Sequence, residues 1–327
     1  MALKRRDFIK GAAGGGAALA TAAVVSSPAP AEARENKQMP PNAVGLLYDS
    51  TLCIGCKACV AGCKEANDLP PDFNTADKLW DTPIDIGPKT FNVIKVYADG
   101  TAATKDQEKD GFAFVKKSCM HCVDPSCVSV CPVSAMTKDA QTGIVGYNPD
   151  ICIGCRYCVA SCPFGVPQAE YDTPTPKIRK CEMCRHRQAE GKIPACAEVC
   201  PTGATVFGPI TAINAEIARR RALKPGEVTT FERRTIGSGD THEKAAATYI
   251  DHVYGEKEVG GTQFRFMSGV AFDKLGMPDL PEKSYPSQSE GIQHTLYSGM
   301  LAPAAVFAGL VWAAKRSAHV EDEHPEE

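Results

Sequence analysis

The chain has 327 residues and carries 36 Lys+Arg against 39 Asp+Glu, a formal net charge of -3. That balance excludes the basic excess of a nucleic-acid binder, and 43% hydrophobic with 23% charged residues excludes wholesale disorder. The unusual feature is sixteen cysteines, which demand either a disulfide framework or metal.

The first element is an export signal. Lys4-Arg5-Arg6-Asp7-Phe8-Ile9-Lys10 is charged, Gly11 to Val25 holds only Ala, Gly, Leu, Thr and Val, and Ala31-Glu32-Ala33 is an A-x-A site. The arginine pair and the weak, glycine-rich apolar stretch point to the twin-arginine type, which exports folded proteins. Cleavage is expected after Ala33, with Ala31 as the other candidate, so the mature chain begins near Arg34.

The cysteines fall into four groups of four. Cys53, Cys56, Cys59 and Cys63 are spaced C-x2-C-x2-C-x3-C, and Cys152, Cys155, Cys158 and Cys162 repeat that spacing before Pro163. Cys119, Cys122, Cys127 and Cys131 widen the middle gap to four residues before Pro132, and Cys181, Cys184, Cys196 and Cys200 widen it to eleven before Pro201. Three cysteines on one tight loop converge on one iron–sulfur cube, while the fourth leads away to a different cluster. Disulfides fail on spacing, because three thiols on one loop cannot all find partners at a Cα separation of about 4.4–6.8 Å. Zinc sites usually pair two C-x2-C halves rather than use runs of three plus one. The expectation is four [4Fe–4S] clusters.

Crossed ligation requires the groups to pair. Groups two and three are close in sequence; Cys119, Cys122 and Cys127 are expected to share a cluster with Cys162, and Cys152, Cys155 and Cys158 one with Cys131. Groups one and four enclose them, so Cys53, Cys56 and Cys59 join Cys200, and Cys181, Cys184 and Cys196 join Cys63. Lys64 stands where a proline follows the other three groups, which leaves Cys63 the least certain fourth ligand.

Between groups one and two, Asn92 to Tyr97 and Phe112 to Val115 read as strands of a small antiparallel insert packed over a cluster. Beyond group four, Ile210, Ile213 and Ile217 fall at helical spacing, with Arg219, Arg220 and Arg221 expected to face solvent. His121 and His186 lie near cluster cysteines, where either could tune a potential or simply reach solvent. No G-x-G-x-x-G after a strand, no G-x4-G-K-[ST] and no G-x-S-x-G is present, and every cysteine is assigned to iron. The chain therefore reads as an electron conductor without a catalytic site of its own. From Leu296 to Ala314 no residue is charged and Lys315-Arg316 follow, which predicts a transmembrane helix with a cytoplasmic C-terminus; His294 just before it reads as interfacial.

The four-group pattern resembles the four-cluster electron-transfer subunits of membrane oxidoreductases, among them the beta subunits of formate dehydrogenase and dimethyl sulfoxide reductase. It is most similar there to the ferredoxin-like subunits of nickel–iron hydrogenases. The stretches that carry this are YDSTLCIGC (Tyr48 to Cys56), MHCVDPSCVSVCPVSA (Met120 to Ala135), ALKPGE (Ala222 to Glu227), YGEKEVGGTQ (Tyr254 to Gln263) and IQHTLYSGM (Ile292 to Met300). Asp68 to Pro88 matches less well. The resemblance implies the same pairing of groups one with four and two with three. It further implies a relay on the periplasmic side of the inner membrane, between a nickel–iron hydrogenase (small and large subunits) and a multi-span, quinone-reacting membrane partner. A molybdopterin enzyme as electron source, or a non-redox structural iron–sulfur protein, are the alternatives.

The expected fold class is α+β: two nested bis-[4Fe–4S] ferredoxin-like units with a small β insert, then a single C-terminal transmembrane helix. In chain order this gives a signal over 1–33, a four-cluster domain over 34–208, a helix and extended tail over 209–290, an anchor over 291–316 and a cytoplasmic acidic tail over 317–327.

Overall fold

The computed structural model of the chain describes residues 33–72 and 82–321. The expected signal, save Ala33, lies outside the described residues, as do 73–81 and the last six residues of the acidic tail. The chain divides into two compact units, Asn36–Pro286 and a second that includes 287–321.

The larger unit is organised by one sheet. Strand β1 (Val44–Asp49), read VGLLYD, is buried from its second residue onward, so it lies inside the core rather than at an edge. It pairs antiparallel with β9 (Thr205–Pro209), Tyr48 opposite Thr205, and parallel with β13 (Phe264–Met267). Strand β11 (Arg234–Thr235) adds to the free edge of β9, giving the order β11-β9-β1-β13. Strands drawn from beyond the last cysteine thus complete the sheet that carries the first group.

The insert forms as its alternation predicts. Strands β2 (Asn92–Ala98) and β4 (Gly111–Ser118) pair antiparallel, with the short β3 (Thr104–Lys105) parallel on the outer side of β4. It covers the first cysteine loop: a Cβ on Gly55 would lie 2.4 Å from the Phe114 ring, and Tyr48 Oη donates to the Phe114 carbonyl at 2.9 Å. A second ladder, β5 (Met136–Lys138) with β6 (Val145–Tyr147), is antiparallel with Met136 opposite Tyr147.

Helix α6 (Ile210–Arg221) follows β9 and buries Ile210, Ile213 and Ile217, as the periodicity predicts. The outward arginine run needs correction at its middle residue. Arg220 is completely buried; its Nε donates to Glu216 Oε1 at 2.7 Å and its Nη1 to Asp49 Oδ2 at 2.9 Å, over the Phe231 ring. The reason is geometric: Arg220 lies three and seven residues from Ile217 and Ile213, on the same helical stripe. Asp49 Oδ2 also accepts from Tyr249 Oη at 2.7 Å, and its Oδ1 accepts from Thr51 Oγ1 at 2.6 Å, just before the first cysteine loop. Replacing Arg220 with methionine leaves Asp49 as a buried charge without its cation, and leaves Glu216 with Arg219 alone. The expected loss is about 3–5 kcal/mol of stability, read as a lowered thermal midpoint of the cluster-loaded protein.

The expected membrane anchor does not survive. Helix α7 (Tyr285–Glu321) covers that stretch as one 37-residue helix with Pro303 inside it. Among the described residues, no helix is long and apolar enough to cross a membrane. Lack of charge is not apolarity: Gly291, Thr295, Gly299, Pro303 and Gly309 are uncharged yet contribute little to transfer into hydrocarbon. The single-pass inner-membrane placement read from that stretch falls with it.

Candidate iron–sulfur centres

The strand register brings distant cysteines together. Because β1 runs antiparallel to β9, the loop that leaves β1 toward Cys53 lies beside the segment that enters β9 from Cys200. The same construction recurs in β5 and β6, which place Cys131, five residues before Met136, beside Cys152, five residues after Tyr147.

The result is four cysteine sets. One cavity is lined by Cys53, Cys56, Cys59 and Cys200; a second by Cys63, Cys181, Cys184 and Cys196; a third by Cys131, Cys152, Cys155 and Cys158. The remaining four, Cys119, Cys122, Cys127 and Cys162, are mutual neighbours: burial pushes the Cys122 thiol up, and Cys162, Cys127 and Cys119 push it further. All sixteen thiols are free of disulfides. No three described His, Cys, Asp or Glu side chains converge closely enough for a single metal ion. Four thiols converging on one cavity suit a cube, as in three of the four sets.

Each loop turns by the same device. The residue before the second cysteine has positive φ in all four groups: Gly55 (70°), His121 (47°), Gly154 (71°) and Met183 (51°). This αL residue bends the loop so that its amides face inward, and glycine adopts it without strain. Gly55 N–H and Gly154 N–H point at the sulfurs of Cys53 and Cys152, each at 3.4 Å, and Met183 N–H at Cys181 Sγ at 3.3 Å. The fourth cysteines receive amides too: Ala135 N–H approaches Cys131 Sγ at 3.1 Å and Thr205 N–H approaches Cys200 Sγ at 3.5 Å. Both cysteines open a repeat that spacing alone did not bring out, Cys131-Pro132-Val133-Ser134-Ala135-Met136 and Cys200-Pro201-Thr202-Gly203-Ala204-Thr205, with αL residues at Ser134 and Gly203 and with Met136 N–H, like Thr205 N–H, 3.5 Å from its cysteine sulfur. Such N–H···S contacts stabilise added negative charge and help set a cluster's potential.

The environment is dry. Burial, ahead of every other cause, raises the Cys59 and Cys63 thiols to about 12 and the Cys158 thiol to about 11. His121 is buried in its loop; its Nδ1 accepts from Val145 N–H at 3.1 Å, so the ring proton is on Nε2, and burial holds the imidazole neutral. His186 instead lies at the surface, its ring nitrogen 2.8 Å from the Ala66 carbonyl oxygen. The stretch Tyr254 to Gln263 wraps the Cys119 loop: Val123 N–H donates to Gly261 O at 2.9 Å, and Gln263 N–H to Met120 O at 3.1 Å.

Residues 45–132 and 111–210 each match a 4Fe-4S dicluster domain family. The chain is 46% identical over 319 residues to the hydrogenase-2 operon protein HybA of Escherichia coli O157:H7, covering 96% of each chain. The chain belongs to the HybA family. It is also 30% identical to the iron–sulfur subunit of the nitrate-inducible formate dehydrogenase of Escherichia coli, over 95% of this chain and 93% of that one. The protein NrfC of the same species is 37% identical over 55% of this chain and 72% of its own. Membership in the HybA family, two dicluster domains and sixteen cysteines together give an iron–sulfur electron-transfer subunit with four [4Fe–4S] clusters.

Proposed function

We propose that the four cysteine sets are the ligand sets, numbered 1 (Cys53, Cys56, Cys59, Cys200), 2 (Cys63, Cys181, Cys184, Cys196), 3 (Cys119, Cys122, Cys127, Cys162) and 4 (Cys131, Cys152, Cys155, Cys158), and that they form a linear relay. The observation that carries this is their order. Neighbouring sets lie within electrostatic reach of one another: Cys196 of set 2 pushes up the Cys59 thiol of set 1, Cys119 of set 3 the Cys181 thiol of set 2, and Cys158 of set 4 the Cys127 thiol of set 3. At the two ends Cys56 and Cys155 are exposed, while the middle sets have no exposed cysteine. Exposed apolar residues flank both ends, Ile54 beside Cys56 and Ile153 and Tyr157 beside Cys155. Such surfaces suit close, water-excluding approach of a redox partner.

When bound, the clusters accept and donate one electron at a time. The chain's own part is to hold them in line, exclude water and direct amide N–H groups at the sulfurs. Residues 34–208 form the cluster-holding domain in this reading. No residue outside the cysteine sets is assigned a step in substrate chemistry, which fits a conductor rather than an enzyme. The electron source is a nickel–iron hydrogenase, through its small and large subunits, and the acceptor is a multi-span membrane subunit that reacts with quinone. Support comes from the hydrogenase-2 relative, whose identity to this chain, 46%, exceeds the 30% of the formate dehydrogenase subunit.

The test is the metal content of the complex that co-purifies with this chain from its native source. Nickel alongside iron is expected. Molybdenum without nickel would replace the hydrogenase with a molybdopterin partner and leave the relay standing.

A further inference from the structure

Lys116 is a buried cation with no carboxylate partner. It is 1% exposed, and among the described residues no Asp or Glu forms an ion pair with it. An ammonium left alone in a protein interior is strongly unfavourable, so some other negative charge must offset it. Its position shows which. On β4 the alternation of a strand sends Phe114, Lys116 and Ser118 to one face. Phe114 covers the Gly55 turn of set 1, whereas Lys116 and Ser118 line the cavity of set 2. Lys116 Nζ donates to Thr205 Oγ1 at 3.4 Å, and Thr205 lines the cavity of set 1, its own amide directed at Cys200 Sγ. The ammonium is therefore placed between two cavities and touches the wall of each. Burial alone would push its pKa down, but the thiolates of Cys196, Cys59, Cys200 and Cys63 outweigh burial and hold the charged form.

We propose that Lys116 is a shared electrostatic positioning residue for clusters 1 and 2, whose single charge raises both reduction potentials together. Reduction adds one negative charge to a cluster, and a fixed cation nearby favours that state. A charge shared by two neighbours shifts both the same way, so it leaves the step between them unchanged and lifts the pair relative to the other two clusters. Clusters 3 and 4 do not share it.

This rests on the ligand sets proposed above, and the experiment separates the two. Purified, cluster-loaded wild-type, Lys116→Met and Lys116→Arg proteins would be assayed for iron and sulfide, then titrated with a reductant under paramagnetic resonance. The expected result is full iron in all three and, in Lys116→Met only, at least a tenfold fall in the ratio of reduced to oxidised centre at fixed potential for two of the four clusters. That fall is about 59 mV for a one-electron couple. The shifted pair should be the pair whose signals disappear in Cys56→Ala and Cys184→Ala. If Lys116→Met keeps its iron and moves no potential, or moves all four alike, the proposal is overturned. If Lys116→Met loses iron from those two clusters while Lys116→Arg retains it, the charge itself is required, in support. Equal iron loss in both variants would make Lys116 a packing residue and overturn the proposal. Wild type with far fewer than four clusters would sink the ligand sets instead.

Discussion

Cys200→Ala should remove one cluster, and it should be the cluster of the first cysteine loop rather than that of its own group. Iron should fall by about a quarter, since one cube of four is lost. The register of β1 against β9 is the reason: Cys200 lies in the cavity of Cys53, Cys56 and Cys59, while Cys181, Cys184 and Cys196 surround the neighbouring cavity with Cys63. Double variants make the assignment decisive. Cys200→Ala with Cys53→Ala should lose no more iron than either alone, because both break the same cluster. Cys200→Ala with Cys184→Ala should lose two clusters. Residues acting as one unit are non-additive and independent ones add. The opposite pattern would mean that each group binds within itself, and the crossed sets would fail.

Chelating the iron should abolish cooperative unfolding of the unit Asn36–Pro286. Its cysteine-bearing helices are short: α1 (Ala58–Ala66) has nine residues, and α2 (Ser126–Ser129), α3 (Tyr157–Ser161) and α5 (Ala195–Glu198) have four or five, all fewer than an isolated helix needs. Around the cavities the core is made partly of thiols, so without clusters the lining loses what it packs against. Binding free energy is folding free energy in such a case. The acid–base sign can be stated as well. Buried Cys59 and Cys63 have thiols raised to about 12, above the ordinary 9.0 that the unfolded chain would show. Whatever structure persists without metal keeps the stability of those neutral thiols below about pH 9 and loses it as pH rises toward 12, because only the unfolded chain ionises readily. Iron loading requires thiolates and so improves as pH rises over the same range. Circular dichroism melts of loaded and chelated protein, at two pH values, check both statements: an unchanged, cooperative melt after chelation would refute the first, and chelated protein whose residual structure does not weaken between about pH 9 and 12 would refute the second.

The cysteine chemistry was legible because it is local. Three thiols within seven residues of Cys53, or of Cys152, admit few arrangements, and the insert strands and the Ile210–Ile217 stripe follow periods written in neighbouring residues. What escaped was set by distant partners. Arg220 reads as solvated beside Arg219 and Arg221, and only the folded sheet supplies Asp49 to bury it. Lys116 reads as the start of a polar Lys-Lys pair ending a strand, yet it alone of the two is buried. His121 and Met183 occupy αL positions for which sequence would have predicted glycine, since loop geometry outweighs residue preference there. The stretch 291–316 was misjudged because counting charges does not measure apolarity.

The pairing of β1 with β9 also bears on how the molecule is built. The cysteines of sets 3 and 4, from Cys119 to Cys162, lie within one short span and can be brought together soon after they leave the ribosome. Sets 1 and 2 have no such freedom: Cys53 waits for Cys200, and Cys63 for Cys181, with the whole intervening span between them. Closing so long a loop is slow compared with local contacts. Cofactor insertion therefore has a natural sequence, sets 3 and 4 before sets 1 and 2, and a chain interrupted before Cys181 would be left half-furnished with four reactive thiols open at its front edge.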